Sequence, residues 1–148
     1  MYRLTAIVLA ALALASCDKF NTEEANIVAY NVSGNPVEFY VNDGVGHRVE
    51  ANSTARFTVL IDVATRRVSD TSPSYTVDKV VQVSVAAKNL GTGKLTQPRL
   101  CSAGAKVITH VSYEMYPGGY DYIRCDATYP TEENPTERYV RDKRRELK

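Results

Sequence analysis

The strongest constraint in this chain is a period of two. Val37, Phe39 and Val41 alternate with Glu38, Tyr40 and Asn42; Val81, Val83, Val85 and Ala87 alternate with Gln82, Ser84 and Lys88; Val107, Thr109, Val111, Tyr113 and Met115 alternate with His110, Ser112 and Glu114. Phe57, Val59, Ile61 and Val63 follow the same rule against Arg56, Thr58 and Asp62, with Leu60 interrupting the polar side. Successive side chains of a strand point to opposite faces, whereas a helix repeats about every 3.6 residues, so these runs fit strands with one apolar and one wet face. Such strands build antiparallel sheets.

Turn-forming residues separate the runs: Ser33-Gly34-Asn35-Pro36, Asn42-Asp43-Gly44, Asn89-Leu90-Gly91-Thr92-Gly93 and Pro117-Gly118-Gly119. Each group supplies a residue that tolerates positive φ or presets a bend. Strands are expected near residues 26–32, 37–42, 45–50, 55–63, 76–88, 95–100, 105–116 and 120–128. A chain of 148 residues supports one modest apolar core, and seven or eight short strands predict an all-β, antiparallel immunoglobulin-like β-sandwich over residues 26–130. The chain has no tryptophan, so the buried tryptophan of antibody domains has no counterpart. Residues 131–148 form a charged tail. Within it, Asn134-Pro135-Thr136-Glu137 offers an N-cap, a proline at the first helical position and a glutamate three residues after the cap. Beyond that only Tyr139, Val140 and Leu147 are apolar, which predicts a short C-terminal helix or a disordered tail.

The N-terminus stands apart from that domain. Arg3, an apolar run over residues 4–14 broken by Thr5, and the small residues Ala15 and Ser16 describe a secretory signal over residues 1–16. The run is too short to span a bilayer, which needs about 20 apolar residues. It closes with Leu14-Ala15-Ser16-Cys17, which resembles the lipobox of bacterial lipoproteins. The resemblance implies diacylglycerol on the Cys17 thiol, cleavage before Cys17, and a protein anchored by lipid on the extracytoplasmic or periplasmic side of a bacterial cell membrane. A thiolate is the natural nucleophile for the lipid transfer, and stable anchoring takes more than one acyl chain. The alternative is an ordinary signal peptide with a cysteine nearby. Asp18 after the cysteine resembles the inner-membrane retention signal of enteric lipoproteins, a rule that not every lineage shares, so inner and outer membrane both stay open. Residues 17–25 are polar and patternless and read as a tether, whose eight residues after Cys17 reach under about 30 Å.

Without residues 1–16, the chain has 132 residues with 17 basic and 17 acidic side chains, and 17 valines against five leucines. The valine excess favours strands. Charge neutrality removes the global argument for nucleic-acid binding. With Cys17 taken by lipid, Cys101 and Cys125 are left to pair as a disulfide in an oxidising compartment; the competing reading, two free thiols in a redox or metal site, lacks C-x-x-C spacing and a neighbouring histidine. His47 and His110 are the only histidines and are expected to be exposed, with no ligand spacing that implies a metal. No G-x-S-x-G elbow provides a serine nucleophile, and no small-molecule cofactor motif is present. Asn31-Val32-Ser33 and Asn52-Ser53-Thr54 match the N-glycosylation pattern, which a bacterial lipobox makes incidental.

Two features carry functional weight. Tyr113, Tyr116, Tyr120, Tyr122 and Tyr129 put half of the ten tyrosines around the last hairpin. Cross-strand packing is the plain use of such rings; exposed aromatics on a rigid sheet also stack on sugars or anchor partners, and Tyr116, Tyr120 and Tyr122, which flank the Pro-Gly-Gly turn, are the candidates for that role. The second is the basic tail, where residues 137–148 carry six basic and three acidic side chains. Arg138, Arg141, Lys143, Arg144 and Arg145 are candidate contacts to anionic lipid, at about 1 kcal/mol each, against a solvated charge run as the plain reading.

One segment, from Val28-Ala29-Tyr30-Asn31 through Gly46, is similar in outline to PEGA-type and other small immunoglobulin-like envelope domains: a strand, a Gly-Asn-Pro turn, then Val37-Glu38-Phe39-Tyr40-Val41-Asn42-Asp43-Gly44. The Pro-Glu-Gly-Ala tetrapeptide is absent, and the resemblance implies a non-enzymatic β domain without carrying over any functional residue. The expectation is a lipid-anchored envelope protein that binds an envelope protein or cell-wall polymer through the tyrosine hairpin. The alternatives are a structural accessory subunit whose basic tail contacts anionic lipid and, less favoured, a hydrolase.

Overall fold

The alternation becomes eight strands: β1 (Phe20–Asn31), β2 (Val37–Val41), β3 (His47–Val49), β4 (Thr54–Ala64), β5 (Val81–Asn89), β6 (Arg99–Ala103), β7 (Ile108–Met115) and β8 (Asp121–Thr128), followed by one helix, α1 (Pro135–Glu146). The computed structural model describes residues 20–64, 80–116, 118 and 120–148; the expected signal sequence and Cys17 lie outside them. One sheet has the order β4-β1-β7-β8 and the other β3-β2-β5-β6. The protein is therefore the all-β sandwich that the alternation predicts. Its two-layer form is immunoglobulin-like, and its strand order is its own: β1 lies inside its sheet between β4 and β7. The β1–β7 ladder is parallel, and the other five ladders are antiparallel.

The core lies between the sheets, where Ile27 and Ala29 of β1, Phe39 of β2, Ile61 and Val63 of β4, Val83 and Val85 of β5, Val111 of β7 and Ile123 of β8 pack in one cluster. Each fully buried valine, isoleucine or phenylalanine contributes roughly 1.5–3 kcal/mol relative to exposure. Cys101 of β6 and Cys125 of β8 form a disulfide with Cα atoms 5.8 Å apart, joining the edge strands of the two sheets. Closing its 24-residue separation stabilises the fold by about 3–4 kcal/mol in the chain-entropy account.

The strand limits depart from the alternation where pairing outweighs local composition. Residues 20–25, read as tether, are the first half of β1, paired with β4 from Phe20↔Ala64 to Ala25↔Val59. Ladder hydrogen bonds come from the backbone, so a polar segment beside an 11-residue partner strand extends as readily as an apolar one. The strand expected at 95–100 instead starts at Arg99, directly after Pro98, which has no N–H to give a ladder; Leu95 makes only an isolated bridge to Lys88. Residues 76–79 of the expected fifth strand lie outside the described residues.

The tail is a docked helix rather than a frayed segment. Asn134 caps it as expected: its side-chain oxygen accepts the Glu137 N–H at 3.0 Å, and Pro135 occupies the first turn. A lone helix of this length is marginal, so packing must hold it. Val140 is 2% exposed and packs with Val28 and Tyr30 of the outward row of β1 and with Val32 just after it, with Ile108 and Tyr139 beside them. The Asn134 amide donates to Thr128 Oγ1 and the Thr136 hydroxyl to Asp126, which ties the helix start to the end of β8. At the other end Arg144 donates to Thr54 Oγ1 at 3.2 Å and to the Ser53 carbonyl at 3.0 Å.

Replacing Val140 with aspartate would place an unpaired carboxylate in this apolar contact, at a cost of about 3 kcal/mol or more. V140D is expected to lower the unfolding midpoint by several degrees and to speed amide exchange in α1 while β5 stays protected; an unchanged midpoint would show that the helix contributes nothing to stability.

Candidate functional site

Because β1 and β7 run in the same direction, the β7–β8 turn lies at the end of the sandwich where β1 finishes, opposite Phe20. Two fully buried asparagines organise this end. The Asn31 amide donates to the carbonyls of Asn35 at 2.7 Å and Glu50 at 3.0 Å, and its oxygen accepts from the Ser33 N–H and hydroxyl, locking the β1–β2 and β3–β4 turns together. The Asn89 oxygen accepts from the N–H groups of Gly91 and Thr92, and its amide donates to the Tyr113 hydroxyl at 2.9 Å, which in turn donates to Asp121 at 2.6 Å. Tyr113 is wholly buried; burial first, then the bond to Asp121, pushes its phenol well above the ordinary tyrosine range.

On this frame stand the three candidate tyrosines. Tyr116 stacks on Tyr120 at a centroid distance of 5.8 Å and meets Tyr122 edge-on at 6.2 Å. The Tyr116 N–H donates to the Tyr120 carbonyl across the turn. Tyr120 is 69% exposed, and Tyr116 and Tyr122 are each just over a third exposed. Arg99 of β6 donates to the Tyr122 hydroxyl at 2.8 Å, with its guanidinium 5.2 Å from the ring centre. The structure thus brings Tyr116, Tyr120 and Tyr122 into one exposed cluster with a cation at its edge, whereas Tyr113 is core and Tyr129 follows the far end of β8. Exposed rings beside an arginine are suited to stacking on planar or sugar surfaces and to anchoring a protein partner.

Two further groups escape sequence reasoning. Tyr139 of α1 donates its hydroxyl to Glu114 of β7 and lies under Arg124 of β8, 4.5 Å from the ring centre, with the Lys143 ammonium 5.8 Å from it. Arg99 and Tyr139 come from segments far from the hairpin, and only the sheet order and the docked helix reveal them. The aromatic residue beside Val140 in an otherwise charged helix was the one available signal for Tyr139.

The histidines differ from expectation. His110, expected on a wet face, is 6% exposed because α1 covers that face of β7. Its Nδ1 shares a 2.7 Å hydrogen bond with the Tyr30 hydroxyl, and burial lowers the ring's pKa from its ordinary value; burial likewise pushes Tyr30 up to about 12. His47 is half-buried and stacks face to face on Phe57 at 3.9 Å. Among the described residues no group of three or more His, Cys, Asp or Glu side chains comes together as a metal site, and no helix is long and apolar enough to cross a membrane.

The basic candidates separate. Arg138 and Arg141 both pair with Glu133, and the bonds from Arg138 lead in holding that carboxyl below its usual range. Lys143 pairs with Glu146, and Arg144 is held by Ser53 and Thr54. Arg145 is exposed and lines a groove beside α1. No protein-family model, curated protein or solved structure matches the chain.

Two expectations arise from this geometry. Tyr113→Phe leaves Asn89 and Asp121 without their shared hydroxyl and should cost about 1–3 kcal/mol; an equilibrium denaturation curve measures it, and a neutral result would mean the network does not hold this end. For His110 the folded pKa lies below the unfolded value, so the unfolded chain binds the proton more readily. Stability is then full above the unfolded value of about 6.5 and declines as pH falls through the folded one. His110→Gln should flatten the dependence of unfolding free energy on pH between about 7 and 5; an equal slope in both proteins would contradict it.

Proposed function

We propose that this protein is a lipid-anchored component of a bacterial cell envelope that binds, without catalysis, an envelope protein or cell-wall polymer through its tyrosine end. The observation that carries the reading is the parallel β1–β7 ladder, which puts the start of β1 and the tyrosine turn at opposite ends of the sandwich. The Leu14-Ala15-Ser16-Cys17 motif supports lipid at Cys17, and only Asp18 and Lys19 separate Cys17 from β1. An anchor there faces the β1 start to the membrane. The tyrosines then stand off the lipid surface by roughly the length of β1, whose 12 residues span about 40 Å at ~3.3 Å each.

The same geometry weakens the accessory-subunit reading with a lipid-bound tail. The helix α1 runs from the end of β8 toward the start of β4, the same direction as β1, so its basic C-terminal half lies toward the tyrosine end. Arg138 and Arg141 are moreover paired with Glu133.

A photo-crosslinking residue in place of Tyr120 tests the reading in native cells, with the same probe in place of Leu60, equally exposed on β4, as control. The expected result is a discrete adduct from position 120 alone, lost when Tyr116 and Tyr122 become serine, and release of the protein from membranes by Cys17→Ser. Adducts of equal yield from both positions would rule out the tyrosine end as the binding face.

A further inference from the structure

Between α1 and the outer face of the β4–β1 ribbon runs a groove of about 450 Å³. Its floor is Val28, Tyr30 and Val140, and its walls carry Arg56 from β4 and Arg141, Arg144, Arg145 and Lys148 from α1 and the residues after it. Glu137 is the one acidic side chain in the lining, and it forms no ion pair with any of these basic side chains. Five basic side chains against one acidic one is a local field that the side-chain charge of +1 for the whole chain conceals. Like charges gathered over an apolar floor repel one another, and a bound anion relieves that repulsion.

The cations are placed for the task. Arg144 is fixed from below by Thr54 and the Ser53 carbonyl, and its Nε–H is a buried donor with no acceptor in the protein. Arg56, Arg145 and Lys148 form no ion pair among the described residues and remain available. Four of the five cations are arginines, whose planar fork matches the oxygens of phosphate and carboxylate and favours phosphate where several converge. We propose that this groove is a binding site for a phosphoryl anion, held chiefly by Arg56, Arg144, Arg145 and Lys148. A lipid headgroup and a free phosphate compound present the same chemistry to it. The site uses none of the tyrosine-end residues but lies toward that end, so a lipid headgroup as its source would count against the membrane-distal placement of the tyrosines, whereas a soluble phosphate would leave that reading untouched.

The test is titration of the full chain, in phosphatidylcholine nanodiscs at low ionic strength, with pyrophosphate and with monomeric dihexanoyl phosphatidylglycerol, followed by calorimetry and amide chemical shifts. The wild type is expected to bind at least one probe with shifts at Val28, Tyr30 and Val140. Arg56→Gln with Arg145→Gln should weaken it at least tenfold, while Arg138→Gln, outside the lining, leaves it unchanged. Binding of the phosphatidylglycerol probe identifies a headgroup as the source, and binding of pyrophosphate alone identifies a soluble phosphate. Neither Arg56 nor Arg145 makes an ion pair in the fold, so the double variant should retain its circular dichroism and melting point, which are recorded alongside. No binding of either probe, or equal binding by the double variant, would overturn the proposal.

Discussion

The parallel ladder between β1 and β7 is the constraint on which the rest of the molecule depends. Parallel neighbours cannot be joined by a tight turn, and strands in such a pairing are stable when both faces are covered. The inner face of β1 meets the opposite sheet through Ile27 and Ala29, and its outer row, Val28 and Tyr30, with Val32 just after it, would otherwise lie in water. The helix α1 covers that row with Val140 and Tyr139. The C-terminal segment, which composition alone makes a solvated tail, is thus the third layer of the fold. The same ladder gives the sandwich its polarity, because it puts the start of β1 at one end and the end of β7 at the other.

That second end is rigid for a reason separate from apolar packing. A buried amide leaves four hydrogen-bonding positions to satisfy, and each unmet one costs about 1–3 kcal/mol. Asn31 and Asn89 satisfy theirs only when particular turns sit in particular places, so the two residues specify the loops as well as stabilise them. Asn31 could not serve as a glycan acceptor in this fold, since its amide is wholly inside the protein and bonded to two turns. Tyr113 extends the second network across the core from Asn89 to Asp121, the first residue of β8. The exposed rings of Tyr116 and Tyr120 are therefore carried by a hairpin whose base is bolted to the opposite sheet.

Much of this fold was legible in the sequence, and the misses share one physical origin. Alternation is local, so it located the apolar strands; capping is local, so Asn134 and Pro135 marked the start of α1; and elimination left Cys101 and Cys125 as the disulfide pair. Residues 20–25, the buried face of His110 and Ser112, and the roles of Tyr113 and Tyr139 all depend on which elements meet, and no window of the sequence contains that. His110 illustrates the point. It sits on the polar side of a clean alternation, and only a helix arriving from 30 residues downstream makes that side an interior. Among the tyrosines the sequence identified the exposed cluster but not its cation, because Arg99 reaches Tyr122 across the disulfide-linked edges of two different sheets.

The helix also lies between the two regions for which binding is proposed. Positions three or four apart share a helix face. Tyr139 and Lys143 form one stripe, turned toward Glu114, Arg124 and the tyrosine hairpin. Glu137, Arg141, Arg144, Arg145 and Lys148 form another, turned toward Arg56 and the groove. Between them Val140 holds the helix to β1. A single rigid element thus has one side in each region, and its position is set by a small apolar contact rather than a deep core. The proposed anion, drawing Arg144 and Arg145 toward Arg56, would stabilise the docked position of α1, and with it the bond from Tyr139 to Glu114.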